Sequence, residues 1–359
     1  MRGDAVGVVP GPDASTLAGT GPPATRPVHA RVTGRVIVSR GGHSGENAGG
    51  GQTRDCRTSA DGRTAVADAE VKNGPMAQLT PATDASTPDS SEPGRPPVVL
   101  TIAGSEATGG AGAQTDLKTF QQSRVFGIAA LTCIVSFDPK DNWNHRFVPV
   151  DPQVIADQLE AITAAYPIDT VKIGMLGTPA TVEVVAGWLA DNSPRTVVLD
   201  PVLICKGQEP GAALDTDQAL KQHILPRATF VTPNHFESEQ LSGVDGIASI
   251  EDLTEAARRI HKASGAVVLA KGGVRLSGDQ AQDVFYDGSR VDVLTAPKIG
   301  EVAVSGAGCT LAAAVAAELG KGADPLTAAR SAKSLVTASI QGRITSNAPF
   351  DAVWQGAAG

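Results

Sequence analysis

The sequence predicts an α/β fold in which helices cover both faces of a mostly parallel sheet. Short apolar runs typical of buried strands alternate with segments of helical periodicity over most of residues 96–359. Such alternation is typical of parallel strands joined by helices. Polar or glycine-rich stretches follow most of the predicted strands, and ligands bind at the carboxyl ends of strands in such sheets. We therefore expect a three-layer α/β/α domain with its site along one edge of the sheet.

The first half of this domain contains four predicted strands and three predicted helices. The strands are runs of aliphatic and β-branched residues at 98–103, 128–137, 170–173 and 196–199. The helices span 113–123, 151–165 and 179–190. Asp151 and Pro152 are suited to the N-cap and first position of the second helix. The polar segment 138–147, DPKDNWNHRF, predicts a loop or flap.

The second half begins with an apolar segment that runs into a loop at 202–214, which predicts a small lid. A helix, a strand and the start of a further helix are then expected at 215–225, 230–233 and 234. A helix at 250–264 and a strand at 266–270 follow, and Asp287-Gly288 predicts a hairpin between 283–287 and 290–294. Two alanine-rich helices are expected at 307–319 and 325–344.

Residues 1–95 predict a disordered N-terminal extension. This segment is rich in Gly, Pro, Ser, Thr, Asp and Ala and has few long apolar runs, so folding would bury too little apolar surface to offset the ordering entropy. It has neither the apolar core of a secretory signal nor the character of an organelle presequence. Met76 lies within it, and we hypothesise that the native chain starts there, which the intact mass of the native protein tests.

Charge and cysteine content narrow the function classes. The net charge of −8 argues against a nucleic-acid surface. No run of about 18 apolar residues occurs, so no membrane span is expected. The four cysteines include no Cys-x-x-Cys pair, which fits a cytoplasmic protein without a zinc cluster.

The segment Val302–Ala317 is the most informative motif. Its small-residue turn, 305–310, runs straight into an alanine-rich helix. Successive backbone N–H groups there can point at one anion, and the helix dipole adds to the attraction. Cys309 lies in the first turn, where this field favours thiolate over thiol. The alternative is a glycine-rich helix start that contains a small buried cysteine.

Several sequence blocks, in their order along 97–345, resemble the pyridoxal and hydroxymethylpyrimidine kinase branch of the ribokinase-like superfamily. The blocks are TIAGSEATGGAGAQTDLKTF, GIAALTCIVSFDPKDNWNH, VKIGMLGT, DPVLICKG, VTPNHFESEQLSG, KGG and SGAGCTLAAA. The combination of Cys205 and Cys309 is similar to the dual-cysteine pyridoxal kinases. The resemblance implies a ribokinase-like fold and phosphorylation of a hydroxymethyl group on a small aromatic ring by ATP and Mg²⁺.

The resemblance also assigns catalytic roles to the turn before the last helix pair. The backbone of Gly306, Ala307, Gly308 and Cys309 would form an anion hole for the transferring phosphoryl group. Cys309 would be the base that takes the substrate hydroxyl proton, where most of the superfamily has Asp. Cys205 would be a lid thiol that adds reversibly to the pyridoxal aldehyde. Its alternative role is that of a buried apolar cysteine.

The remaining implied residues divide between nucleotide and substrate. Glu237 would hold Mg²⁺ through waters and Asn234 a phosphate oxygen, with helix capping as an alternative role for Asn234. The other implied nucleotide-binding residues are Lys271, Gly272, Gly273, Val274, Arg275, Asp283, Gly308 and Lys333. On the substrate side the resemblance places Glu106, His145 and Met175 near the ring.

Two positions depart from the family pattern. Glu106 stands where Asp is usual, and Ser305 stands where close relatives carry a different polar residue. Both departures bear on how the substrate ring and its proton are handled.

The leading interpretation is a cytoplasmic pyridoxal kinase of vitamin B6 salvage. A hydroxymethylpyrimidine kinase of thiamine synthesis is the alternative within the same class, and dual activity fits both. Cys205 favours pyridoxal, because the pyrimidine has no aldehyde for a thiol to attack. A non-catalytic nucleotide-binding regulator is the alternative of another class. The sequence does not give the oligomeric state, and a homodimer is expected by analogy only.

Overall fold

A nine-stranded sheet runs through residues 95–203 and 210–358, the part of the chain that this computed structural model describes. The strands are β1 (Val98–Glu106), β2 (Phe126–Asp138), β3 (Asn144–Pro149), β4 (Thr170–Ile173), β5 (Thr196–Leu199), β6 (Phe230–Val231), β7 (Val267–Lys271), β8 (Gln280–Tyr286) and β9 (Val291–Pro297). Their order is β3-β2-β1-β4-β5-β6-β7-β8-β9. The six strands from β2 to β7 in this order are parallel, and β3, β8 and β9 pair antiparallel at the two edges.

The helices connect these strands and have sequence signals at their ends. They are α1 (Gly112–Gln122), α2 (Pro152–Ala165), α3 (Pro179–Asn192), α4 (Pro210–Ala219), α5 (His235–Ser242), α6 (Ile250–Ser264), α7 (Ala307–Gly320) and α8 (Pro325–Gln341). Asp151 caps α2 through the N–H of Gln153, as expected. A capping box of Ser249 and Asp252 starts α6, and Gly265 ends it in the left-handed conformation.

Alternate residues of each strand face different helix layers. Leu100 and Ile102 of β1 pack in the cluster that contains α2 and α3, whereas Val99 packs in the cluster that contains α1, α7 and α8. A third cluster joins α6 to Val268 and Ala270 on the first of these faces. The predicted three-layer α/β/α arrangement is therefore confirmed.

Two predicted segments differ in the structure. The stretch 138–147 is not only a loop, because 144–149 form β3, which pairs with residues 133–138 of β2. Residues 144–146 are polar and four of the six residues of β3 are exposed, as an edge strand allows, so the stretch has no apolar alternation to indicate a strand. The helix expected at 215–225 begins already at Pro210 and continues through a π-helical turn at Leu220–Ile224. Proline is favoured in a first helical turn, which accounts for the early start.

Two other predictions concern residues that the structure does not describe. The expected disorder of residues 1–95 falls outside the described part of the chain except for Arg95. The expected lid at 202–214 includes the undescribed residues 204–209, and Cys205 is among them. Within the described ranges, no helix has the length and apolar character needed to cross a bilayer.

Candidate active site

The turn before α7 lies close to the loop that follows β1. Gly306 has φ +81°, and a Cβ at this position would overlap the Gly110 carbonyl oxygen, so only glycine fits. The first intrahelical bond runs from the Thr310 N–H to the Gly306 carbonyl over 2.8 Å. The Ala307 N–H donates to Val304 over 3.3 Å, so part of the predicted anion hole is engaged in the turn. Helix geometry leaves the N–H groups of Gly308 and Cys309 without intrahelical acceptors.

Cys309 is half-buried, and its sulfur accepts a hydrogen bond from the Gly112 N–H at the start of α1. Burial raises the pKa of Cys309 to about 11, while the Lys172 ammonium and the Gly112 N–H act against that rise. In the free protein, desolvation therefore outweighs the groups that favour the thiolate, and the thiol is the main form of Cys309 at neutral pH.

Lys271, at the end of β7, lies beside this turn. Its Nζ forms an ion pair with Asp200 Oδ1 at 3.1 Å, and a Cβ built on Gly308 would lie 3.3 Å from that Nζ. Burial alone would lower the pKa of Lys271, but Asp200 and Glu237 raise it above its usual value. Burial alone would raise the pKa of Asp200, but Lys271 and Lys172 lower it. The pair thus keeps a full ammonium charge next to the predicted anion hole.

Asn234 and Glu237 form a capping box at the start of α5. Asn234 Oδ1 accepts from the Glu237 N–H at 2.9 Å, and Glu237 Oε2 accepts from the Asn234 N–H at 2.7 Å. The alternative role of Asn234 as a helix cap is therefore present, and the cap uses only its oxygen. Burial raises the pKa of Glu237 to about 8, with Lys271 lowering it and Asp200 raising it.

The surroundings of Glu237 fit a magnesium ion. Glu237 is 6% exposed, burial raises the pKa of its carboxyl group, and a dication beside it would favour the ionised form. Carboxylate oxygen is a ligand that Mg²⁺ prefers, and the ion usually keeps several waters. Within residues 95–203 and 210–358, no group of three or more His, Cys, Asp or Glu side chains is placed to hold a metal. Glu237 would therefore share the ion with water and phosphate oxygens.

An apolar slot of about 160 Å³ opens beside Lys271 and Gly308. Seven of the predicted anion-hole and nucleotide-site residues line it: Lys271, Gly273, Val274, Asp283, Ala307, Gly308 and Lys333. Gly272 and Arg275 belong to the same turn, where the Arg275 N–H donates to the Gly272 carbonyl, but they do not line the slot. Asn234 and Glu237 also lie outside it.

Asp283 and Lys333 brace this turn. Asp283 Oδ1 accepts from the Gly272 N–H at 3.1 Å, and its Oδ2 accepts from Lys333 Nζ at 2.7 Å. Lys333 also donates to the Ala281 carbonyl at 2.8 Å. These two charges therefore hold the wall of the slot in place, in addition to lining it.

Glu106, one of the predicted substrate residues, is bound by the loop that follows β1. The Glu106 carboxylate accepts from the N–H groups of Thr108, Gly110 and Ala111 and from the Thr108 hydroxyl, at 2.6 to 3.2 Å. It thus organises the loop that packs against Gly306.

The other two predicted substrate residues lie on β3 and after β4. Met175 Sδ is 3.6 Å from Cys133 Sγ, and the Met175 carbonyl accepts from Thr132 at 2.7 Å. His145 contacts Phe137 edge-on at 4.6 Å, in an aromatic cluster that includes Phe350.

Sequence reasoning missed several residues of the site. Asp200 is not among the predicted site residues, although its position directly after buried β5, at the carboxyl edge of the sheet, is a usable signal. Val336 and Ile340 line the slot with Lys333, and their spacing of three and four residues along α8 could have indicated a shared face. Gly112 had no sequence signal for its contact with Cys309.

Comparison with known proteins identifies a family. The family model described as phosphomethylpyrimidine kinase matches residues 106–353. The pyridoxine kinase of Bacillus subtilis is 44% identical over 242 residues, which are 67% of this chain and 89% of that protein. The hydroxymethylpyrimidine/phosphomethylpyrimidine kinase of Haemophilus influenzae is 40% identical over 247 residues, 67% of this chain and 90% of that one.

Solved structures give the same result. An ADP complex of Bacillus subtilis pyridoxal kinase superimposes with a TM-score of 0.68 at 41% identity, covering 73% of this chain and 98% of that one. The pyridoxal kinase of Staphylococcus aureus in complex with AMP-PCP and pyridoxal also gives 0.68, at 39% identity, covering 74% of this chain and 95% of that one.

Proposed function

Because the chain belongs to the phosphomethylpyrimidine kinase family and is a ribokinase-like phosphotransferase, we propose that it phosphorylates the hydroxymethyl group of pyridoxal with ATP. One observation carries this proposal: the half-buried Cys309 thiol and the Lys271 ammonium, which is 13% exposed, lie near a helix N-terminus beside an apolar slot. The slot suits a nucleotide base, and the charges beside it suit the phosphates. Pyridoxine and pyridoxal kinases among the relatives support the B6 substrate.

The placement of three groups of residues supports a role for each in the proposed reaction. Lys271 lies against Gly308, so its ammonium neutralises the phosphates of the nucleotide. The N–H groups of Gly308 and Cys309 face the charge that gathers on the transferring phosphoryl oxygens. Glu237 would hold Mg²⁺, which supplies further charge neutralisation when it is bound.

The transfer is a single displacement. The substrate hydroxyl oxygen bonds to the γ-phosphorus of ATP while the bond from that phosphorus to the β,γ-bridging oxygen breaks, which releases ADP. The hydroxyl proton passes to the Cys309 thiolate, and the resulting thiol later returns it to solvent. With a pKa raised to about 11, the Cys309 thiolate is a strong base, but only a small fraction of the protein carries it at neutral pH.

Cys205 would give the enzyme a preference for a substrate that carries an aldehyde. Its thiol would add to the pyridoxal carbonyl carbon, with the thiol proton moving to the carbonyl oxygen, and form a hemithioacetal. Pyridoxine and hydroxymethylpyrimidine carry no aldehyde and would not be held in this way.

Side-by-side kcat/KM values for pyridoxal, pyridoxine and hydroxymethylpyrimidine with ATP and Mg²⁺ test the proposal. We expect pyridoxal to have the highest value, and Cys205→Ala to raise KM for pyridoxal more than for pyridoxine. Equal effects on the two vitamers would remove the hemithioacetal. Turnover of none of the three would contradict the proposal and favour a nucleotide-binding regulator.

Hydroxymethylpyrimidine kinase activity is the second candidate. The matching family model and the Haemophilus influenzae relative both carry pyrimidine kinase names. A kcat/KM for hydroxymethylpyrimidine above that for pyridoxal would favour this function.

A further inference from the structure

A buried ion pair lies beneath the predicted anion hole. Lys172 Nζ is 2.9 Å from Asp116 Oδ2, and both side chains are fully buried. The Thr101 hydroxyl donates to the same Asp116 oxygen at 2.6 Å. Thr101 and Lys172 are register partners on β1 and β4, so they share the sheet face that packs against α1 and α7.

This pair is poorly explained by stability alone. Burying two charges has a desolvation cost, and replacing such a pair by apolar residues of similar volume is often neutral or stabilising. Among the described residues, Asp116 Oδ1 has no hydrogen-bond partner, which adds to the cost. The sequence surroundings also make room for the lysine, because a Cβ at Gly174 would lie 2.8 Å from its Nζ.

The geometry joins the pair to Cys309 by two routes. Asp116 lies one turn along α1 from Gly112, whose N–H donates to the Cys309 sulfur. Lys172 directs its Nζ toward Gly174, just beyond the carboxyl end of β4, which is the edge where α7 begins. Because α7 packs against β4, the Lys172 ammonium and an ionised Cys309 would attract each other across this part of the interior.

We propose that Lys172, held by Asp116 and Thr101, is a positioning residue that stabilises the anionic form of Cys309. The inference rests on Cys309 acting as base in the proposed function. Four charged groups face the thiol: Lys172 from β4, Asp116 from α1, Asp200 after β5 and Lys271 at the end of β7. Lys172 and Lys271 favour the thiolate, whereas Asp200 and Asp116 oppose it.

Lys172 lowers the pKa of Cys309 and Asp116 raises it. Variants of the two residues should therefore change the reactivity of Cys309 in opposite directions, which a purely structural role would not do. Lys172→Met combined with Asp116→Leu removes the pair without leaving a lone buried charge, and it raises the pKa of Cys309. Asp116→Asn removes the opposing carboxylate but keeps an amide oxygen beside Lys172, whose ammonium form Asp200 and an ionised Cys309 also favour, so the variant lowers the pKa of Cys309. Lys321→Met is the matched control, because Lys321 follows the far end of α7 and pairs with Glu318 on the surface.

The measurement is the rate at which iodoacetamide alkylates Cys309 in the full chain, followed between pH 7 and 10 by mass spectrometry of the Cys309 peptide. We expect the pKa of Cys309 to change by about one unit when one of these nearby charges is removed. Since the thiolate is less nucleophilic when its pKa is lower, each unit changes the rate about threefold at a fixed pH. We expect the double variant to react more slowly than wild type, Asp116→Asn to react faster, and the control to match wild type.

Equal rates in wild type and Asp116→Asn, or a change of the same sign in both pair variants, would overturn the proposal. Asp116→Asn decides the matter by itself if circular dichroism shows that the double variant does not fold. The titration needs no turnover, so a protein that phosphorylates no substrate would refute the proposed function while leaving this test intact.

Discussion

At Cys309, burial and backbone geometry act on the same proton in opposite directions. The helix N-terminus, the Gly112 N–H and the Lys172 ammonium favour the thiolate, but desolvation raises the pKa to about 11. The sequence could predict the helix start and the thiol. It could not predict the desolvation, because that depends on the loop from β1 and on α1 packing against α7.

This balance predicts a pH dependence of catalysis. A base must be deprotonated to act, so the active fraction rises with pH until the pH reaches the thiol pKa. We expect kcat/KM for pyridoxine, which has no aldehyde to titrate, to rise about tenfold per pH unit from pH 7 to 9. Initial rates with saturating ATP measure this. A profile that is flat over the same range would contradict an ionisable thiol base.

Among the elements, the buried strands and the turns at their carboxyl ends were predictable from the sequence. The exposed strand β3 at the side of the sheet was not. Apolar strands and the small-residue turn before α7 have clear sequence patterns, and both lie where expected. β3 was missed because exposed edge strands need no apolar face. The role of Lys172 was hidden because one charged residue inside a four-residue apolar strand gives no sign of its partner on α1.

The turn before α7 can be tested through Gly306. Gly306→Ala combines a positive φ with overlap of the Gly110 carbonyl, so the turn must move. Gly322→Ala is the matched control, since Gly322 has φ +90° with open space around it. We expect the control to lose about 1–2 kcal/mol of unfolding free energy from backbone strain alone. Gly306→Ala should lose more, together with most of kcat.

Urea unfolding and initial rates provide the two readouts. Equal stability losses in the two glycine variants, with kcat unchanged in Gly306→Ala, would show that the close approach of the two loops is not needed for catalysis.

At the scale of the whole molecule, the buried Glu237 carboxyl links folding to pH. Burial raises its pKa from 4.5 to about 8, so the folded chain holds this proton more tightly than the unfolded chain. The resulting stabilisation is fully present below the unfolded pKa and is lost as the pH rises through about 8. In the absence of Mg²⁺, ionisation of Glu237 therefore lowers the stability of the folded protein at alkaline pH.

Glu237→Gln tests this linkage, because glutamine mimics the protonated carboxyl at every pH. We expect the variant and wild type to have similar Tm values near pH 6, and the variant to have the higher Tm at pH 9, both without Mg²⁺. Glu255→Gln is a control in an exposed helical ion pair with Arg259. The same Tm difference from wild type at both pH values would contradict the raised pKa of Glu237.

Turnover by the Cys309→Ala variant decides whether Cys309 removes the substrate proton. With saturating ATP, Mg²⁺ and pyridoxal, we predict that kcat falls by a factor of about 10² to 10⁴, the usual contribution of a general base. The Kd for ATP should stay within about twofold of wild type, because the alanine keeps the backbone N–H groups that face the phosphates. A variant that retains wild-type kcat would rule out Cys309 as the base.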